Sequence, residues 1–152
     1  MFSTHFKFHV IIKDMINLEL HEAQLFRLLT SCFGNDRVIY NMSLRALCPN
    51  GQVHHNGDSS WASSYKCLFA ITDEGDTPRL VVDFAPGFDG VIDAAHANKR
   101  DEAKSILNSK GIHYIGITKE EFHEIQNPEA NFGLFQLLEL KVEKGDITLE
   151  GL

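Results

Sequence analysis

The sequence lacks the features that would place it in a membrane or outside the cell. No apolar run approaches the roughly 20 residues that a membrane-spanning helix needs. The first residues alternate apolar and polar types and lack the continuous apolar stretch of a secretion signal. Three cysteines, Cys32, Cys48 and Cys67, form no CxxC pair, and their odd number favours free thiols over a disulfide framework. We therefore expect a cytoplasmic protein with no membrane partner.

Positive charge is also scarce, because 14 lysines and arginines face 21 acidic residues and give a net charge of −7. Indiscriminate binding to nucleic acids needs many cations at phosphates, so this balance disfavours it, although a local basic patch is compatible with it. The sequence has no glycine-rich phosphate loop, no nucleophile elbow and no zinc-ribbon spacing. Its 152 residues, 43% of them hydrophobic, suit one domain with a substantial core.

Hydrophobic periodicity predicts an α/β domain. Leu18, Leu25, Leu29 and Cys32 recur at helical spacing, which predicts a helix that begins at an Asn17 cap. Two apolar runs flank a polar turn and predict an antiparallel hairpin. The predicted elements in chain order are a helix (17–33), a strand (38–44), the hairpin strands (66–72 and 79–84), a helix capped by Asp93 (94–110), a strand (112–117) and a helix opened by a Thr118–Glu121 capping box (119–125).

Near the two ends of the sequence, apolar and polar residues alternate one by one. Residues 6–12 alternate apolar and polar types and predict an additional N-terminal strand. Leu138, Leu140 and Val142 alternate with charged residues before a Lys144-Gly145 turn, which predicts a C-terminal β-hairpin. We expect these strands to pair with each other or to extend a partner's sheet, giving a homodimer through edge strands.

Glu22 is an unusual residue on the predicted first helix, because it lies on the apolar stripe between Leu18 and Leu25. A carboxylate on such a face costs free energy unless a partner compensates it. Two interpretations remain open: a functional carboxylate, or a structural one bonded to backbone or to Arg100.

Several segments match a known pattern in their order and spacing. Residues 20–26 lie in the predicted first helix and include a Glu, and residues 80–84 lie in a predicted strand and include an Asp. Residues 100–104 of the next predicted helix read Arg-Asp-Glu-Ala-Lys, and Gly111-Ile112 follows the end of that helix. Over residues 18–125 this arrangement resembles the PD-(D/E)xK restriction-endonuclease-like superfamily. The resemblance implies a restriction-endonuclease-like mixed central sheet flanked by helices.

The sequence departs from that superfamily at two positions. The Asp expected on the first hairpin strand, near Leu68, is absent, and the acid-x-Lys motif reads Asp83-Phe84-Ala85. The resemblance implies that Glu22, Asp83 and Lys104 are the catalytic residues, and that Arg100 and Lys104 contact nucleic acid. On another interpretation, those two cations lie on a solvated helix face. Asp89 is a candidate third metal ligand after Glu22 and Asp83, and Asp93 could approach Asp83 in the same way. The alternatives are a turn role for Asp89 and a helix cap for Asp93.

Three functions follow as hypotheses. The missing Asp and Lys favour a degenerate nuclease-like domain that is not catalytic and binds nucleic acid, DNA rather than RNA, or a protein. The second hypothesis is an active nuclease that uses Mg²⁺ or Mn²⁺ at an altered site. The third is an assembly protein that dimerises through its terminal strands.

Overall fold

The computed structural model describes residues 20–48, 61, 64–88, 90, 93–127 and 133–143. A four-stranded mixed sheet is flanked by helices, which confirms the α/β class. The elements are α1 (Leu20–Phe33), β1 (Val38–Ser43), α2 (Leu44–Leu47), β2 (Lys66–Thr72), β3 (Pro78–Phe84), α3 (Ala94–Ser109), β4 (His113–Ile117), α4 (Lys119–Gln126) and α5 (Leu134–Glu143). None of these helices has the length and apolar character needed to cross a membrane.

The strands lie in chain order across the sheet. β1, β2 and β3 form an antiparallel meander, and β4 joins β3 in parallel after the α3 crossover. The predicted hairpin is confirmed, and its turn is held by Asp73, whose Oδ1 accepts hydrogen bonds from the N–H groups of Gly75 (2.8 Å) and Thr77 (3.1 Å). This side-chain mimic of a turn is a local preference of Asp, which is why the sequence predicted it.

The sheet separates two apolar clusters. On one side, which we call the α1 face, Leu80 and Val82 pack with residues of α1, α4 and α5. On the other side, the α3 face, Val81 packs with Leu107 of α3 and Tyr114 of β4. Because successive side chains of a strand point to opposite faces, Asp83 follows Val81 onto the α3 face.

One residue breaks the alternation in β1. Tyr40 packs on the α1 face and Met42 on the α3 face, although they are two residues apart. Asn41 lies between them in the left-handed region with φ 61°, a conformation that Asn tolerates better than most residues. Their partners in β2, Phe69 and Cys67, divide between the faces in the same way. This end of the β1–β2 pair therefore turns toward the α3 face.

Two of the three predicted helix caps are confirmed. Asp93 caps α3, because its Oδ1 accepts hydrogen bonds from the N–H groups of Ala95 (3.0 Å) and His96 (3.4 Å). Thr118 and Glu121 form the reciprocal capping box of α4. Asp93 therefore serves its helix, as one of the two sequence interpretations expected.

The predicted C-terminal hairpin is wrong over residues 134–143, which form α5. Leu134, Leu137 and Leu138 are spaced as i, i+3 and i+4 and are all buried, whereas Phe135 and Leu140 are exposed. The alternation of Leu138, Leu140 and Val142 is too short to distinguish a strand from a helix, and packing against α1 decides the outcome. The predicted N-terminal strand, the Asn17 cap and residues 144–152 lie outside the described residues.

Substitution of Leu138 and of Leu140 tests the helical assignment of α5. Leu138 is fully buried, so Leu138→Ala should lower the free energy of unfolding by about 2–5 kcal/mol. Leu140 is 37% exposed, and Leu140→Ala should cost about 1 kcal/mol or less. Urea unfolding of both variants measures the difference. Equal losses would indicate the alternating strand, in which both leucines share one face.

Candidate functional site

Asp83, to which the resemblance assigned the acid of the motif, lies near the end of β3, and the chain's own groups engage both of its oxygens. Tyr114 donates its hydroxyl hydrogen to Oδ2 (3.0 Å), and the N–H of Phe84 donates to Oδ1 (2.7 Å). Arg100 Nη2 lies 3.7 Å from the same Oδ2. The side chains of Arg100 and Asp83 are 11% and 14% exposed. The carboxylate therefore belongs to a largely buried cluster that joins β3, β4 and α3.

Two tyrosines and one cysteine near this carboxylate have raised pKa values. Burial is the largest cause, and the negative charge of Asp83 the next, in raising the pKa of Tyr65 to about 12 and that of Cys67 to about 12. The same two causes raise the pKa of Tyr114. Because all three groups keep their protons at neutral pH, Asp83 has no second negative charge beside it from these groups.

Arg100 is turned inward, where the resemblance implied a contact with nucleic acid. Its guanidinium is buried beside the Tyr65 hydroxyl, and its positive charge and hydrogen bonding act to lower the pKa of that phenol. The nearby carboxylate of Asp83 offsets the cost of burying this charge. Lys104, one turn later, is exposed and makes no ion pair with Asp83. The structure thus separates the two cations that the sequence grouped together.

Aromatic side chains lie next to the cluster, around Tyr65. The rings of Trp61 and Tyr65 meet edge-on at 5.7 Å, and Tyr65 lies parallel to the His96 ring at 6.1 Å. Lys99 Nζ lies 4.6 Å from the centre of the Trp61 ring. These rings pack against each other and against α3, which agrees with a packing role for Trp61 and Tyr65.

Glu22 lies on the other side of the sheet. It is half-buried on α1, and the hydroxyl of Tyr40, which packs on the α1 face, donates to its Oε2 at 3.5 Å. The sheet therefore lies between Glu22 and Asp83, and the two carboxylates do not converge. Asp89, the third predicted ligand, lies outside the described residues. Within the described ranges no three or more His, Cys, Asp or Glu residues are grouped to hold a metal ion.

Position 85, where the superfamily motif has its Lys, is held tightly against β4. The Ala85 N–H donates to the carbonyl of Ile117 (2.8 Å), which extends the β3–β4 pairing. A β carbon at Gly116 would come within 3.2 Å of the Ala85 Cα, so glycine permits this close approach. Backbone pairing with β4 thus continues past Asp83 to Ala85, and the Lys that the motif has at this position is absent.

Sequence reasoning missed Tyr65 and Tyr114 as members of the cluster. A tyrosine inside an apolar strand was the available signal for Tyr114, because a buried phenol normally finds a hydrogen-bond partner. Its partner could not be inferred, since Asp83 and Tyr114 are 31 residues apart and meet only through the parallel pairing of β3 and β4.

Comparison with known proteins identified no relative: no family model, no curated protein and no solved structure matches this chain. The resemblance to the superfamily therefore stays a prediction.

The raised pKa values of the buried tyrosines and of Cys67 predict a loss of stability at alkaline pH. Below about pH 8 the thiol and the phenols are protonated in both the folded and the unfolded state. As pH rises past their ordinary values, the unfolded chain releases protons that folded Tyr65, Cys67 and Tyr114 retain. The free energy of unfolding should therefore fall between about pH 9 and 12. The ordinary pKa values of Cys67 and Tyr65 and their raised values of about 12 bound this window.

Urea unfolding at a series of pH values measures this fall, and Tyr65→Phe is the matched variant. Phenylalanine keeps the ring and has no proton to release, so the decline should become shallower. An unchanged slope in Tyr65→Phe would contradict a buried, protonated phenol at this position.

Proposed function

We propose that this chain is a nuclease-like domain that does not hydrolyse phosphodiesters and acts by binding another macromolecule. The observation that carries the proposal is that groups of the chain itself contact both carboxylate oxygens of Asp83. Its Oδ2 accepts the Tyr114 hydroxyl hydrogen and lies near Arg100, and its Oδ1 accepts a backbone N–H. A carboxylate occupied in this way is a structural element that fastens α3 to the sheet.

The topology supports the comparison with nucleases. The described chain runs through a helix, a strand, a hairpin, a helix and a strand, which is the order that the resemblance implies. The Glu-bearing helix and the helix after the hairpin cover opposite faces of a mixed sheet. This agreement concerns architecture, and architecture alone does not establish an activity.

The chemistry argues against hydrolysis. Nucleases of this superfamily hold Mg²⁺ or Mn²⁺ with carboxylates and use a Lys to orient the attacking water. Glu22 and Asp83 lie on opposite sides of the sheet, and Ala85 stands in the Lys position. Removal of one electrostatic element of a catalytic site costs about two to three orders of magnitude in rate, and here two elements are missing or displaced.

A protein is the favoured partner. The net charge of −7 opposes a nucleic-acid surface. Arg100, the central cation of the expected DNA-binding helix, points toward Asp83, and Lys99 lies over the Trp61 ring. Lys104 is exposed on α3 and Lys110 is exposed at its C-terminal cap, and the acidic residues Asp101 and Glu102 lie just before Lys104 on the same helix. Such a mixed helix face offers little to a phosphate backbone.

Cleavage assays test the loss of catalysis. Single- and double-stranded DNA and RNA are incubated with Mg²⁺ or Mn²⁺ and with the wild type, Glu22→Gln or Asp83→Asn. We expect no metal-dependent cleavage above background in any of the three. Cleavage by the wild type that both variants lose would establish an active nuclease with an altered site and overturn the proposal.

The structural role of Asp83 gives a second, independent measurement. Asp83→Asn should lower the free energy of unfolding by about 3 kcal/mol, because it leaves a buried Arg100 without its counter-charge. Asp101→Asn is the matched control: Asp101 is exposed on the same helix, and its replacement should change stability by less than about 0.5 kcal/mol. Similar stabilities of the two variants would contradict a structural ion pair.

A further inference from the structure

The carboxyl ends of β3 and β4 form a topological switch point. After β3 the chain passes to α3, which packs on the α3 face, and after β4 it passes to α4, which packs on the α1 face. Between two such diverging connections an open α/β sheet leaves a crevice, and ligands in this architecture bind there. The cluster around Asp83 lies on one side of the sheet and does not fill this crevice.

Two adjoining cavities lie at this end of the sheet, beside the turn that follows β3 and along α4. The smaller, about 230 Å³, lies between the turn that follows β3 and the start of α4. The larger, about 550 Å³, runs along α4 and is within the range that suits a small ligand or a side-chain anchor. Phe88, Lys119 and Glu120 line both.

Aromatic rings form the floor of the larger cavity. Phe88 and Phe122 are 7% and 3% exposed, and their rings meet at 5.6 Å. The exposed His21 ring of α1 contacts both of them edge-on, at 5.4 and 5.6 Å. Phe84 packs behind Phe88 at 4.2 Å, so the floor is held by the core of the α1 face.

Free carboxylates line its rim. Three glutamates lie on α4, and Glu121 is used internally, by the Thr118 cap and by Lys141 (3.1 Å). Glu120 and Glu124 line the cavity and are exposed, and their carboxylates make no ion pair or hydrogen bond within the described part of the chain. Lys119 is the one lysine or arginine among the described residues that line the cavity, so two carboxylates oppose one ammonium there.

We infer that this cavity binds an arginine side chain of a basic segment in a partner protein. A planar guanidinium suits a site with carboxylate acceptors and the exposed ring of His21 over a buried aromatic floor, because it donates paired hydrogen bonds and stacks on ring faces. The inference rests on the proposed binding function and names the chemistry of the partner. The net charge of −7 would speed the approach of a basic segment.

An anion fits the same cavity poorly. The start of α4 carries the positive end of a helix dipole, which by itself attracts anions. Glu120 and Glu121 already occupy the first turn of that helix and offset its charge. An acidic ligand would therefore meet like charge at the rim, where an arginine meets opposite charge.

A titration followed by backbone amide NMR tests the inference with four capped tripeptides, acetyl-Gly-X-Gly-amide, where X is Arg, Lys, Leu or Glu. The Arg peptide should shift the amide signals of His21, Phe88 and residues 119–127 saturably, with a Kd of about millimolar order for one side chain. The Glu and Leu peptides should bind more weakly. Equal binding of Leu and Arg, or tighter binding of Glu, would overturn the inference.

Charge-neutral variants identify the groups responsible. Glu120→Gln with Glu124→Gln should weaken binding of the Arg peptide about three- to tenfold, as expected for two exposed charge pairs. Glu74→Gln with Asp101→Asn removes the same charge away from the cavity and should leave the Kd unchanged. Equal weakening by both pairs would mean that net charge alone attracts the peptide, which would contradict a defined site.

A single-stranded oligonucleotide serves as the competing ligand. If it shifts the same amides more strongly than the Arg peptide does, the cavity is a nucleic-acid site and the inference is wrong. The cleavage assays decide the proposed function separately: metal-dependent hydrolysis would overturn that function, whereas a failed titration without hydrolysis overturns the arginine site alone.

Discussion

The contact of Asp83 with Tyr114 and Arg100 is the interaction on which the α3 side of this structure depends. It joins the strand β3, its parallel neighbour β4 and the crossover helix between them, at one largely buried point. A carboxylate at this depth needs donors and a counter-charge, because desolvation would otherwise make the folded state unfavourable. Burial first, and the negative charge of Asp83 second, raise the pKa values of Tyr65 and Cys67.

The carboxylates Asp83 and Glu22 lie on opposite faces of the sheet. Asp83 and Arg100 neutralise each other on the α3 face, while Glu22 contacts Tyr40 on the α1 face. The carboxylates that the superfamily brings together at a metal are separated here by the sheet. The two helices after β3 and β4 leave toward opposite faces, and the cavity beside α4 is lined by rings and by the carboxylates of Glu120 and Glu124.

Features set by neighbouring residues were predictable. The Asp93 cap, the Thr118–Glu121 capping box and the turn around Asp73 are hydrogen bonds within a few residues, so residue type and spacing indicate them. Asp83 was also identified as a key residue, but its partners were not, since Tyr114 lies 31 positions away. The alternation in the tail predicted strands for residues that form α5, because a stripe of a few residues fits both periods until packing selects one.

The sequence by itself determined the α/β class, the order of most elements and the absence of a Lys after the acid, because each depends on periodicity or on residue identity. Only the tertiary structure decided which face each carboxylate occupies, that Arg100 turns inward, and that residues 134–143 pack as a helix on α1. Those outcomes depend on contacts between residues far apart in the chain. Strand register, the left-handed Asn41 and the competition of elements for the core set such contacts, and no local pattern records them.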